Sequence, residues 1–64
     1  MKVRDLLKLL EQDGWYLERC KGSHRQFHHE RKAGTVTVAG HPGDDVPAGT
    51  LNSILKSAGL KKSG

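Results

Sequence analysis

Cysteine occurs once in the 64 residues, at Cys20. A single thiol excludes a disulfide framework and fits a reducing compartment better than a secreted mini-protein. It also leaves any zinc site dependent on His24, His28, His29 and His41, whose spacings match no zinc template. No metal or other cofactor is therefore expected. No stretch reaches the ~18 consecutive apolar residues that a membrane span needs. The chain opens directly into an amphipathic pattern, with nothing resembling the apolar core of a signal peptide. Internal repeats and low-complexity segments are absent, and both prolines fall in one loop. These absences favour one small cytoplasmic domain over residues 1–60, with residues 61–64 as a flexible C-terminal tail. A chain this short buries only about 60% of the surface its unfolded form exposes, so its stability is expected to be modest.

Acidic residues are the scarcer charge. Lys and Arg outnumber Asp and Glu by 11 to 7, giving a formal net charge of +4 and a pI near 9.6. That balance raises the local concentration of polyanions and speeds encounter with them. Mild basicity also serves solubility alone, so charge leaves nucleic-acid binding and a solvated surface as alternatives.

The apolar pattern supplies the elements. Val3, Leu6, Leu7 and Leu10 recur with helical spacing, with Arg4, Lys8 and Glu11 off the stripe and Gly14 placed to end the helix. Trp15 to Cys20 favours a strand, and Lys21-Gly22-Ser23 reads as a tight connection to a second strand from His24 to His29. A polar turn from Glu30 to Gly34 leads into Thr35-Val36-Thr37-Val38, whose clean alternation predicts a third strand. Gly40 to Gly49 is a loop. Leu51, Ile54, Leu55 and Ala58 form a second helical stripe closed by Gly59, with Pro47 suited to that helix's first turn. The order α-β-β-β-α with short connections predicts an α+β fold: a three-stranded antiparallel meander with two helices on one face. This is the architecture of the double-stranded-RNA-binding domain.

The pleat then places side chains. Phe27 is the one large apolar residue of the second strand and should face the helices, which sends His24, Gln26 and His28 to the open face. Val36 and Val38 point inward, Thr35 and Thr37 outward, and Arg25 and His29 lie toward the margin of the sheet. An exposed histidine among cations is the minimum equipment for cleaving RNA, because RNA carries its own nucleophile, the 2′-hydroxyl. Histidine's unperturbed pKa of ~6.5 keeps both protonation states available near neutrality, and a positioned proton-transfer group contributes ~10²–10⁴-fold in rate. Lys21 and Arg25 flank His24 and suit the stabilisation of phosphorane charge, while the amides of Gly22 and Ser23 suit a phosphate contact. The plainer alternative makes His24 a surface residue beside a turn. His28-His29 reads as a solvated strand end, and Cys20 as a small strand hydrophobe.

Taken in order, Gly14-Trp15, Lys21-Gly22-Ser23-His24, Gln26-Phe27, Val36-Thr37-Val38, His41-Pro42-Gly43, Gly49-Thr50-Leu51 and Ser53-Ile54-Leu55-Lys56 resemble the HicA toxins of HicAB toxin–antitoxin systems, also described as the YcfA-like family. The resemblance runs from Val3 to about Leu60. It implies a double-stranded-RNA-binding-like fold, endoribonucleolytic cleavage of mRNA, and neutralisation by a HicB-type antitoxin. It also implies that His24, in the Gly-Ser-His motif, is the catalytic residue. Cys20 and His28-His29 match nothing in the family pattern and take no role from it. The alternative function is a non-catalytic RNA-binding module of the same fold, gripping RNA by shape and phosphate contacts. A protein-interaction module without RNA contact would leave the charge and the exposed His24 unexplained.

Overall fold

The computed structural model describes residues 1–60. Its elements are α1 (Val3–Gln12), β1 (Tyr16–Lys21), β2 (His24–His28), β3 (Val36–Val38) and α2 (Ala48–Ser57). The sheet is antiparallel with the order β1-β2-β3. The proposed tail at 61–64 lies outside the described residues.

Both helices end the same way, and the sequence says why. At the end of α1, Gly14 N–H donates to the Glu11 carbonyl (3.0 Å) and Trp15 N–H to the Leu10 carbonyl (2.9 Å). At the end of α2, Gly59 N–H donates to Lys56 (3.1 Å) and Leu60 N–H to Leu55 (2.8 Å). Each is a Schellman motif, with glycine in the left-handed position and an apolar residue following that folds back on the helix. Gly14 takes φ +102, and a Cβ there would also lie 2.8 Å from Nε2 of His29. That position is closed to other residues on two independent grounds.

The start of α1 is held differently. Its Val3 and Arg4 amides donate to the carbonyls of Asp44 (2.9 Å) and Pro42 (3.1 Å), satisfying two donors that have no partner inside the helix. The His41-Pro42-Gly43 segment thus serves structure through its backbone. Asp44 closes the turn, its amide donating to the His41 carbonyl (2.9 Å) and its carboxylate accepting from the His41 amide (3.0 Å). Pro47 is the N-cap of α2, one position before the helix rather than within its first turn.

Val3, Leu6 and Leu10 of α1, Ile54 of α2 and the C-cap Ala58 meet Trp15, Phe27, Val36 and Val38 in one core. Phe27 pairs with Val36 and Arg25 with Val38, so all the core side chains of the sheet stand on its helical face. The core covers β2 and β3 but stops short of β1, every residue of which is exposed. Cys20 is therefore not a packed hydrophobe. It is solvent-exposed on an edge strand, its thiol within 3.4 Å of the Gly22 carbonyl.

His29 is the second departure from the expected pattern. It leaves β2 and turns inward, its side chain only 9% exposed, with Nε2–H donating to the Asp13 carbonyl at 2.6 Å. Nδ1 accepts from the amides of Arg31 (2.9 Å) and Lys32 (3.2 Å), which fixes the tautomer. The ring stands edge-on to Trp15 at 5.2 Å. Lys32, from the same turn, donates to the Asp13 carboxylate and to the Ala58 carbonyl (2.8 Å), joining the C-caps of the two helices. The Lys32 ammonium holds the Asp13 carboxyl below its ordinary value, by hydrogen bond and by charge, against the opposing effect of desolvation. The Trp15 indole, donating at 3.2 Å, adds to the lowering.

Candidate active site

Lys21 and His24 close the β1–β2 hairpin around Gly22 and Ser23. Gly22 takes φ +59 and Ser23, like every other described non-glycine residue, has no positive φ, the pattern of a type II′ turn with glycine at its first centre. Such a turn matches the strand twist and fixes the register, so the two side chains stand on the same face with Cβ atoms about 5 Å apart. His24 is exposed there.

The rest of that face depends on one irregularity. Leu17 pairs with Phe27 and Arg19 with Gln26, leaving Glu18 as the extra residue of a β-bulge. Strict alternation would have sent Arg19 and Lys21 to the face of Leu17, which is the helical one. The bulge reverses their parity. Tyr16, Arg19 and Lys21 now share the outer face with their partners His28, Gln26 and His24, and Thr37 of β3 joins beside Gln26. Arg19, Lys21, Gly22, His24 and Gln26 line an open concavity of about 530 Å³. His24 also borders a second hollow, of about 360 Å³, between β3, the 40–47 loop and α2.

The structure thus brings His24, Lys21, Gly22 and Ser23 together at one hairpin end. Arg25 projects from the opposite face, beside Val38, and its Nη1 donates to the carbonyls of Gly40 (2.8 Å) and Ser23 (3.3 Å). Arg19 takes the place beside His24 that adjacency in sequence had suggested for Arg25. Nothing in Leu17-Glu18-Arg19 marks a bulge, as there is no glycine, so no sequence signal pointed to Arg19. Among the described residues, no three His, Cys, Asp or Glu side chains stand together as a metal-binding group. No helix among them is long and apolar enough to cross a membrane.

The family described as HicA toxin of bacterial toxin–antitoxin matches residues 3–60, which contain all five elements and the whole outer face. The chain belongs to the HicA toxin family. It is accordingly the toxin member of a toxin–antitoxin pair, and family membership implies an antitoxin as its partner. No curated protein matches the chain. The Gly22-Ser23-His24 segment of this HicA toxin occupies a tight turn and the first residue of the following strand. Its histidine is held by backbone pairing and left free at the side chain.

Proposed function

We propose that this HicA toxin is a cytoplasmic endoribonuclease that cleaves mRNA with His24 as its catalytic residue, and that a HicB-type antitoxin neutralises it. The observation that carries the reading is the exposed imidazole of His24 on a face left uncovered by the helices, with Lys21 opposite it and Arg19 one pair further along. His24 takes the proton of a 2′-hydroxyl as that oxygen bonds to the adjacent phosphorus. The bond from phosphorus to the 5′-oxygen breaks, that oxygen gains a proton, and the products are a 2′,3′-cyclic phosphate and a 5′-hydroxyl. Lys21 and Arg19 stabilise the charge gathering on the non-bridging oxygens, and the turn amides of Gly22 and Ser23 hold the phosphate. Arg25 contributes from behind, tying the hairpin to the 40–46 loop through the Gly40 carbonyl. RNA supplies the nucleophile, so the scheme calls for no metal.

The experiment compares native protein with His24→Ala on a defined RNA, with and without EDTA. Native protein should cut in chelator and leave a 2′,3′-cyclic phosphate, while folded His24→Ala protein should not cut. A His24→Ala protein that cleaves at the native rate refutes the assignment. A native protein that binds RNA without cutting it is instead a non-catalytic RNA-binding module.

A further inference from the structure

The outer face has a feature that proton transfer at His24 does not use. Tyr16 is 45% exposed, and it pairs in register with His28 at the end of the sheet away from the hairpin. Their ring centroids are 6.4 Å apart with planes inclined at 41°, so the rings neighbour each other without stacking. Neither belongs to the core. Among the described residues, the one polar contact of these two side chains is a long one of 3.5 Å between His28 Nε2 and the Thr35 hydroxyl.

The three register pairs form a track: Tyr16–His28 at one end, Arg19–Gln26 in the middle, Lys21–His24 at the other. At ~3.3 Å of rise per residue, His28 lies about 13 Å along β2 from His24, a few nucleotides of an extended chain. Two aromatic rings, then cations and an amide, then the proton-transfer group is an arrangement suited to unpaired bases. Aromatic side chains on an open sheet stack splayed bases without regard to sequence, and cations beside them follow the backbone. The Gln26 amide, exposed between them, offers donors and an acceptor to base edges. A duplex fits poorly. Its bases are stacked on one another, and A-form geometry keeps the 2′-oxygen out of line with the bond to be broken.

We propose that Tyr16, with His28, forms a base-stacking subsite that makes single-stranded RNA the substrate of this face. The proposal rests on the ribonuclease reading for its catalytic end, but its binding end is separable. The test uses His24→Ala protein, which holds RNA uncut, and measures fluorescence anisotropy with a labelled oligoribonucleotide and with the same strand in a perfect duplex. Single strand should bind at least tenfold more tightly. Tyr16→Ala should lose roughly 5- to 160-fold in affinity for it, the range for one stacked base. Tyr16→Phe, which keeps the ring, should restore most of that loss, and His28→Ala should weaken binding independently.

In protein with His24 intact, Tyr16→Ala should raise KM far more than it lowers kcat. Equal binding of duplex and single strand, or unchanged affinity in both Tyr16→Ala and His28→Ala, overturns the subsite. Tyr16→Ala that weakens only the antitoxin complex also overturns it, and makes the face a protein-docking surface. If native protein cleaves nothing while Tyr16-dependent single-strand binding persists, the ribonuclease reading fails and the subsite stands.

Discussion

Lys21 and His24 face each other across a two-residue turn, the closing pair of the β1–β2 hairpin. A cross-strand pair at a type II′ turn has little freedom to separate, so the ammonium accompanies the imidazole wherever the hairpin goes. Arg25, adjacent to His24 in sequence, stands on the other side of the sheet with its guanidinium hydrogen-bonded to two carbonyls.

These placements separate two cations that sequence adjacency had grouped. Lys21→Ala should lower RNA cleavage by roughly 10²-fold, the effect of removing one charge-stabilising donor, with the melting temperature almost unchanged. Arg25→Ala should instead destabilise the fold by about 1–3 kcal/mol, because the Gly40 and Ser23 carbonyls lose their partner. Paired activity and thermal-melting measurements check both. An Arg25→Ala protein of native stability that has lost its activity would return Arg25 to the phosphate.

Gly14→Ala is expected to be among the more damaging single-methyl additions in this chain. The new Cβ meets the His29 ring at 2.8 Å and forces a left-handed conformation on alanine. The loss should be about 1–3 kcal/mol. Gly22→Ala also carries positive φ but meets open space, so it should cost less. Urea titrations of the two variants give the comparison, and equal losses would mean that the His29 contact yields without cost.

The pH dependence of stability should carry a signature of Asp13. Its carboxyl titrates below the ordinary aspartate value of 3.8 in the folded protein, first because Lys32 donates to it. Such a group stabilises fully above the unfolded value and loses that contribution as pH falls through the lowered folded value. Native protein should therefore lose stability in acid more steeply than Asp13→Asn, and their melting temperatures should converge there. A difference that stays constant from neutral to acid pH rules out this linkage.

Antitoxin binding should follow the charge of the outer face. An inhibitor that covers His24 meets Arg19 and Lys21, so acidic groups on the antitoxin would match them, and association should slow as salt rises. Leu17 and Tyr16, 51% and 45% exposed, offer apolar contact on the two faces of the same edge strand. The complex should melt above the free toxin through binding linkage. A complex structure with His24 open to solvent would refute occlusion and point to an indirect block.

Much of this protein was determined locally. The leucine stripe of α1, the alternation of Thr35 to Val38, and glycines at both helix ends are short-range patterns, and each element formed where its pattern lay. His24 was likewise legible, since the Gly22-Ser23 turn and inward Phe27 dictate its face within four residues. Tertiary structure decided what depends on distant partners. Register with β2 made Glu18 a bulge and moved Arg19 and Lys21 beside His24, because pairing is settled across the hairpin and not along one strand. The Asp13 carbonyl drew His29 out of the strand and away from water. The core covers two strands and leaves β1 bare, which exposed Leu17 and Cys20 on the helical face. Periodicity reports which side of an element is apolar; only the packed molecule determines whether anything covers it.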